Sequence, residues 1–324
     1  MNTLHICTSA DKNYKLPLTA LLNSIYKNSA SRPCVMHILY TGLSKRYQQK
    51  IQRKYKNTNL SVEFVDMSSY NFDFFELDMQ YWTKAIFYRI MIPEIFKNLE
   101  RILYIDGDTL VVQDLVDLFN MEFQDDAYLA MIVDKFSWKH QMFRLGVSNY
   151  FNSGVILFDI DKCRKDNFSY KCIKWLHDTP KKPIYPDQDA INVIADGKIV
   201  RVNNLYNKMI VPKYPITVDI KPFIIHFVSE TKPWMCRAPV KYCSFYRKYI
   251  PSKFARTKVL LGQLLNKYKN LAFYKQKAEV LQKTKIIEQM QYYVFTKLVY
   301  TKTLRTKEQD ILDVLKKMRD TQCL

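Results

Sequence analysis

Short apolar runs alternate along the first two thirds of the chain with segments whose apolar positions recur at helical spacing. LHICTS near the N-terminus reads as a strand, and residues 15–28, with Leu18, Leu22 and Ile25 on one face behind Pro17, read as a helix. VMHILY (35–40) is a second strand, after which Ser44 opens a helix in which Tyr47, Ile51 and Tyr55 recur every four residues. SVEFVD (61–66) follows, then a less regular stretch, a helix predicted over 83–97, and the strand of RILYID. The order βαβαβ predicts an α/β sheet covered by helices.

In open α/β sheets the ligand crevice lies beyond the carboxyl ends of the strands. The run RILYIDGDTLVV (101–112) places Asp106 and Asp108 at such an end, and Asp11 and Asn13 follow the first strand in the same way. Two carboxylates flanking a small residue can offer oxygens to one hard divalent cation and leave sites for a diphosphate. By itself D-x-D reads first as a turn, and so do Asp11 and Asn13. His226 in FIIHF alone reads as a core histidine, and Lys232 alone as a surface lysine. Neither G-x-G-x-x-G nor G-x-x-x-x-G-K-[ST] occurs, so the glycine signatures of dinucleotide folds and P-loop nucleotidases are absent, and the residues after Asp108 fail as an EF-hand loop.

Composition narrows the class. With 324 residues, 48% hydrophobic and 14% aromatic, the chain can bury a sizeable core, and only 6 glycines leave no room for flexible or repetitive linkers. Seven cysteines, odd in number, scattered and never spaced C-x-x-C, argue against a disulfide framework or structural zinc and for a reducing compartment. MNTLHICTSADKNY lacks a signal peptide's basic and apolar regions, and no apolar run approaches the length of a spanning helix, so the expected location is cytoplasmic. The net charge of +19 is uneven: residues 1–230 hold 29 Lys and Arg against 25 Asp and Glu, whereas residues 231–324 hold 21 against 6. In that basic region apolar residues recur at helical spacing (Leu260, Leu264, Tyr268, Leu271; Ile311, Leu315, Met318) among lysines and aromatics. It suits an anionic membrane surface, or a helical cap with a solvated face. No nucleic-acid motif accompanies the charge, so no nucleic-acid partner is expected.

Six segments in order across residues 3–236 carry a resemblance: TSADKNYKLPL, TKAIFYRIMIPEIF (83–96), RILYIDGDTLVVQDLVDLF (101–119), YFNSGVILFDI (150–160), YPDQDAIN (185–192) and IIHFVSETKPW (224–234). Together they resemble the family 8 glycosyltransferases, the retaining galactosyl- and glucosyltransferases of lipopolysaccharide cores and glycogenin. The resemblance implies a GT-A nucleotide-sugar-binding domain with a mixed, mostly parallel sheet over residues 1–236; the basic helical region read from charge and spacing then occupies 237–324. It implies a metal-dependent hexosyltransferase moving glucose or galactose from UDP-hexose to an acceptor hydroxyl of a lipopolysaccharide or other surface glycan. It further implies that Asp106, Asp108 and His226 hold Mn²⁺, with Mg²⁺ as the alternative, and that Lys232 lies against the diphosphate. Asp11, Asn13 and Tyr14 match positions that hold uracil and ribose, Arg89 one that contacts the donor, and Asn152, Asp187 and Gln188 ones that line the sugar. Gln188 is nearest the anomeric carbon, Asp189 is a further candidate for sugar hydroxyls, and Asp134 matches a position near the acceptor. Gly107 is expected to let the backbone turn and to keep a side chain out of the diphosphate's path.

An amide beside the anomeric carbon is no obvious nucleophile, whereas retaining hydrolases use two carboxylates about 5 Å apart. The resemblance therefore implies same-face attack, with the departing diphosphate taking the acceptor's proton, or a transient covalent intermediate. The chain departs from the family's H-F-x-G-x-x-K-P-W at Ser229, where the glycine would be. Two alternatives stay open: a UDP-sugar-binding member without transferase activity, and a nucleotidyltransferase, which would want a glycine-rich loop that TSADKNYK lacks. With the basic region on a membrane, the enzyme is expected to be peripheral at the inner face of the plasma membrane.

Overall fold

The computed structural model describes residues 3–29, 32–73, 83–179, 183–212, 221–235 and 245–250. Its first half follows the pattern read from the sequence: β1 (Leu4–Ala10), α1 (Lys15–Asn28), β2 (Cys34–Tyr40), α2 (Lys45–Tyr55) and β3 (Leu60–Asp66). The Ser44 hydroxyl caps α2 by accepting from the Tyr47 amide, so one orphan N–H of the first turn is satisfied. The helix predicted over 83–97 is instead a 3₁₀ run, Lys84–Met91, followed by the short α3 (Ile92–Ile95). Pro93 explains the break: it cannot donate to the Arg89 carbonyl, which takes a tighter bond from the Ile92 amide.

After β4 (Arg101–Ile105) come β5 (Thr109–Val111), α4 (Val116–Phe119), β6 (Leu129–Val133), α5 (Trp138–Leu145) and β7 (Phe151–Asp159). Then follow α6 (Ile160–Lys165), α7 (Phe168–Asp178), α8 (Pro186–Ile194), β8 (Ile199–Arg201), β9 (Lys208–Ile210) and β10 (Ile224–Phe227). Seven strands form one sheet in the order β3-β2-β1-β4-β7-β6-β8, and β5-β10-β9 form a second. In the larger sheet only β7 runs against its neighbours; every other pairing is parallel.

Both faces of the large sheet are buried, which is why its central strands read as continuous apolar runs. Leu103 and Ile105 of β4 join Val155 and Leu157 of β7 in one core, while Ile102, Tyr104, Ile156 and Phe158 join the other. Each such side chain contributes about 1.5–3 kcal/mol through burial, so the register of the two strands is strongly held.

That register positions the site. Because β7 is antiparallel to β4, residues at its start lie against the carboxyl end of β4: Ile105 pairs with Val155, and the Asp106 amide donates to the Gly154 carbonyl at 2.8 Å. On its other side Met131 pairs with Ile156 but Ile132 with Asn152, so residues 153–155 bulge out of the β6 pairing. Their polar backbone groups are thereby released for other partners. In the second sheet β10 runs antiparallel to β5, setting His226 opposite Thr109, and the Phe227 amide donates to the Asp108 carbonyl at 3.1 Å.

By compactness the chain divides into Met1–Trp234 with Tyr242–Pro251, and Met235–Lys241 with Ser252–Leu324. Tyr246 and Ile250 are buried in the first unit, where the Asn23 amide donates to the Tyr249 carbonyl at 2.7 Å. The basic helical region expected over 237–324 otherwise lies outside the described residues. Among the described residues no helix is long and apolar enough to cross a membrane.

Candidate active site

Asp106, Asp108 and His226 meet at the junction of the two sheets, each offering one ligand atom, all within 4.8 Å of one another. The His226 Nε2 lies 3.2 Å from Asp108 Oδ1 and 3.7 Å from Asp106 Oδ2. The space they share depends on Gly154: a Cβ there would sit 2.2 Å from His226 Cε1 and 2.8 Å from Asp106 Oδ2. Two carboxylates and an imidazole form a donor set suited to a first-row divalent ion.

Cationic side chains neutralise these acids. The buried Arg89 guanidinium lies 2.8 Å from Asp106 Oδ1 and 3.2 Å from Asp187 Oδ2, and donates to the Ser153 carbonyl at 2.7 Å. Burial alone would lower its pKa, but Asp106 and Asp187 outweigh that and raise it, so the charge is fixed. Lys232 donates to Asp108 Oδ2 at 2.6 Å and to the Phe227 carbonyl at 2.7 Å. Burial would push the Asp108 carboxyl up, but Lys232 and His226 more than offset this and hold it below the ordinary carboxylate range. Asp187 goes the other way: burial raises it, against the pull of Arg89.

Beside the acids lies a network of amides. Gln188 Oε1 accepts from Ser153 N at 3.0 Å and from Asn152 Nδ2 at 3.1 Å, while its Nε2 donates to Asp134 Oδ2 at 3.2 Å. The other Asp134 oxygen accepts from the Phe136 and Ser137 amides at 3.0 and 2.9 Å, which ties the loop entering α5 to Gln188. The site thus has an ionic end and an amide end, joined by the β7 bulge.

The sequence model of glycosyl transferase family 8 matches residues 5–238 of this chain. The chain belongs to glycosyltransferase family 8. It is 30% identical over 254 residues to lipopolysaccharide glucosyltransferase WaaO of Escherichia coli K12, covering 71% of this chain and 72% of WaaO. It is 25% identical over 268 residues to general stress protein A of Bacillus subtilis, covering 76% and 93% of the two chains. Its structure resembles that of galactosyltransferase LgtC in complex with donor and acceptor sugar analogues, with a TM-score of 0.69 and 20% identity over 79% of this chain and 100% of that one. The GT-A fold and the glycosyltransferase class implied by the six segments are thereby established.

In this family 8 enzyme, Asp106, Asp108, His226, Arg89, Lys232, Asn152, Asp187, Gln188 and Asp134 converge on one cluster. Asp11 Oδ1 accepts from the Asn13 amide at 2.7 Å, so the turn chemistry expected of these residues is realised at the end of β1. Tyr14 ends that turn with its ring against Gly107, where a Cβ would meet Tyr14 Cδ1 at 3.0 Å. Gly107 is not among the residues with positive φ, so room for Tyr14, and not a left-handed turn, is what a side chain there would disturb. Ser229 likewise avoids positive φ, and its hydroxyl donates to the Thr231 carbonyl at 2.8 Å, so serine fits the loop without backbone strain.

Asp189 is not brought into the cluster. It is fully buried, 2.5 Å from Arg144 Nη2, and accepts from the Tyr150 hydroxyl at 2.6 Å. Sequence reasoning missed Tyr104, whose hydroxyl donates to Asp106 Oδ1 at 2.8 Å, and Ser153, whose hydroxyl donates to Asp187 Oδ2 at 3.2 Å. It also missed Asn207, which sits behind His226 in a polar stretch, NNLYN, that reads only as a loop.

Proposed function

We propose that this enzyme transfers a hexose, glucose or galactose, from UDP-hexose to an acceptor hydroxyl with retention of configuration, using a divalent cation held by Asp106, Asp108 and His226. The observation that carries the reading is the convergence of these three side chains beneath a glycine whose Cβ would fill their shared space. A bound Mn²⁺ or Mg²⁺ would act as a Lewis acid on the diphosphate of the leaving UDP. Asp106 and Asp108 would hold it through carboxylate oxygens and His226 through a ring nitrogen. Lys232 exchanges Asp108 for a phosphate oxygen, placing a positive charge where negative charge grows as the glycosidic bond breaks. The Asp11–Tyr14 turn, packed on Gly107, is assigned to the uridine.

At the amide end Asn152, Asp187 and Gln188 face the sugar, and Asp134, bonded to Gln188, lies toward the acceptor. Same-face attack is favoured because each alternative nucleophile is engaged. The Gln188 oxygen accepts from Ser153 N and Asn152, Asp187 is paired with Arg89, and Asp189 with Arg144. The departing diphosphate then takes the acceptor's proton. Relatives named for lipopolysaccharide glucosyl and galactosyl transfer support a lipopolysaccharide-core or other surface glycan, free or lipid-linked, as acceptor. The basic residues of 237–324 are assigned to an anionic membrane at its cytoplasmic face, where each Lys or Arg near the surface adds about 1 kcal/mol.

The test is consumption of UDP-glucose and UDP-galactose with Mn²⁺ by wild type and Asp108→Ala. A fall of at least about a hundredfold in the variant is expected, in line with loss of a main electrostatic stabiliser of the leaving group. Equal rates refute the metal role. UDP binding with turnover no faster than background would point to the non-catalytic reading.

A further inference from the structure

The amides around the site are not free to point either way, because backbone N–H groups of the β7 bulge fix them. Gly154 N can only donate, and it donates to Asn152 Oδ1 at 3.0 Å, so that atom is the amide oxygen. Asn207 faces the same oxygen at 2.8 Å and therefore presents its NH₂. Its other atom is then the carbonyl oxygen, which lies 2.9 Å from His226 Nδ1. An oxygen with no hydrogen can only accept, so Nδ1 carries the proton and Nε2, facing Asp106 and Asp108, is left as the nitrogen that can bind a cation. The far end of the chain is pinned in the same way: Ser153 N donates to Gln188 Oε1, which sends the Gln188 NH₂ to Asp134. Asn207 is buried to 1% exposure, so water cannot readily substitute for it.

We propose that Asn207 is a positioning residue for the proposed metal centre: by accepting the His226 Nδ1 proton it fixes the ring's tautomer and rotation so that Nε2 serves as ligand. The proposal rests on the metal-dependent reading given above. It assigns to Asn207 the part that carboxylates and carbonyls take behind metal-bound histidines, where loss of the partner lowers metal affinity by about 10–100-fold. Through Asn152 and Gln188 the same bonds join the cation's ligand to the sugar-facing amide, so ionic and amide ends share one rigid frame.

The experiment is a titration of Mn²⁺ followed by its electron paramagnetic resonance signal, with UDP present, on the full chain. Wild type, Asn207→Leu and Asn207→Asp are compared, with folding checked by circular dichroism and thermal melting. Asn207→Leu removes the acceptor and is expected to weaken Mn²⁺ binding by about 10–100-fold. Asn207→Asp keeps an acceptor for Nδ1–H but loses the donor to Asn152; it is expected to hold Mn²⁺ within about threefold of wild type while turnover falls. Should Asn207→Leu not fold, Asn207→Asp in the same titration, with ¹⁵N chemical shifts of His226 in the Mg²⁺–UDP complex of the wild type, carries the test. Nδ1 protonated and Nε2 bare are expected. Equal loss of Mn²⁺ in both variants, unchanged binding in Asn207→Leu, or a proton on Nε2 in the Mg²⁺–UDP complex overturns the proposal. Failure of wild type itself to bind Mn²⁺ overturns the metal reading instead, so the two are separable.

Discussion

Gly154→Ala sets two physical effects against each other. Gly154 lies inside strand β7 without positive φ, so on backbone grounds alanine is allowed and would stabilise the strand by roughly 0.5–1 kcal/mol. The new methyl, however, would sit 2.2 Å from His226 Cε1, 2.7 Å from its Nδ1 and 2.8 Å from Asp106 Oδ2. These separations are shorter than real contacts allow, and neither neighbour is a free end. The ring is bonded to Asn207 at 2.9 Å on a buried strand, and Asp106 is gripped by Arg89 and Tyr104 at 2.8 Å each. Overpacking of this kind costs about 1–3 kcal/mol, and here its relief must displace two proposed metal ligands. The expected net outcome is a destabilisation of about 0–2.5 kcal/mol in urea unfolding, the clash less the propensity gain. Mn²⁺ affinity, read by electron paramagnetic resonance, should fall by at least about tenfold, because ligand sites tolerate little displacement. A more stable variant that binds Mn²⁺ as wild type does would refute the close-approach argument.

Two further perturbations probe other parts of the molecule. Lys232→Met removes the ammonium 2.6 Å from Asp108; opposite charges this close are worth on the order of several kcal/mol at an effective dielectric near 20, so Mn²⁺ affinity without nucleotide should rise by about tenfold or more while UDP affinity falls. Isothermal titration of each ligand reads both, and weaker Mn²⁺ binding would contradict an ammonium that competes for Asp108. On the large sheet, His37 is pushed down from 6.5 to about 4 by burial and by neighbouring His5, 3.0 Å away; Glu63 lies 3.1 Å from Nδ1 but off hydrogen-bonding geometry. The unfolded chain then takes up the proton first as pH falls, so stability present above pH 6.5 should drop by roughly 3 kcal/mol on acidification toward pH 4. Urea midpoints from pH 7.5 to 4.5 should fall in wild type and flatten in His37→Leu; parallel curves would exclude His37 as the source.

Much of the fold was legible because its central strands are buried on both faces, α1 carries a dense apolar run that is buried from Pro17 to Ile25, and α2 is amphipathic and capped. The 83–97 stretch misread locally, since its apolar spacing suits a helix while Pro93 denies the bond that would continue one. Within the site, legibility followed chemical type. Carboxylates, a histidine, an arginine and a lysine in ordered motifs signal themselves. Asn207, Tyr104 and Ser153 do not, because an amide, a phenol and a hydroxyl are ordinary in loops and strands and gain meaning only from what they face. Asp189 shows the converse: adjacent to Gln188 in YPDQDAIN, it turns on α8 toward Arg144 and Tyr150, a direction its place in the motif cannot reveal.

By itself the sequence determined the α/β class, the family and the residue types available for chemistry, because burial periodicity and motif order are properties of the chain read in one dimension. Tertiary structure alone decided which of those residues meet. His226 reaches Asp106 and Asp108 because β10 pairs with β5, and the amides point one way because an antiparallel strand bulges where Gly154 and Ser153 can offer their N–H groups. Such directional contacts depend on distances of a few tenths of an ångström between segments far apart along the chain, and no local pattern encodes them.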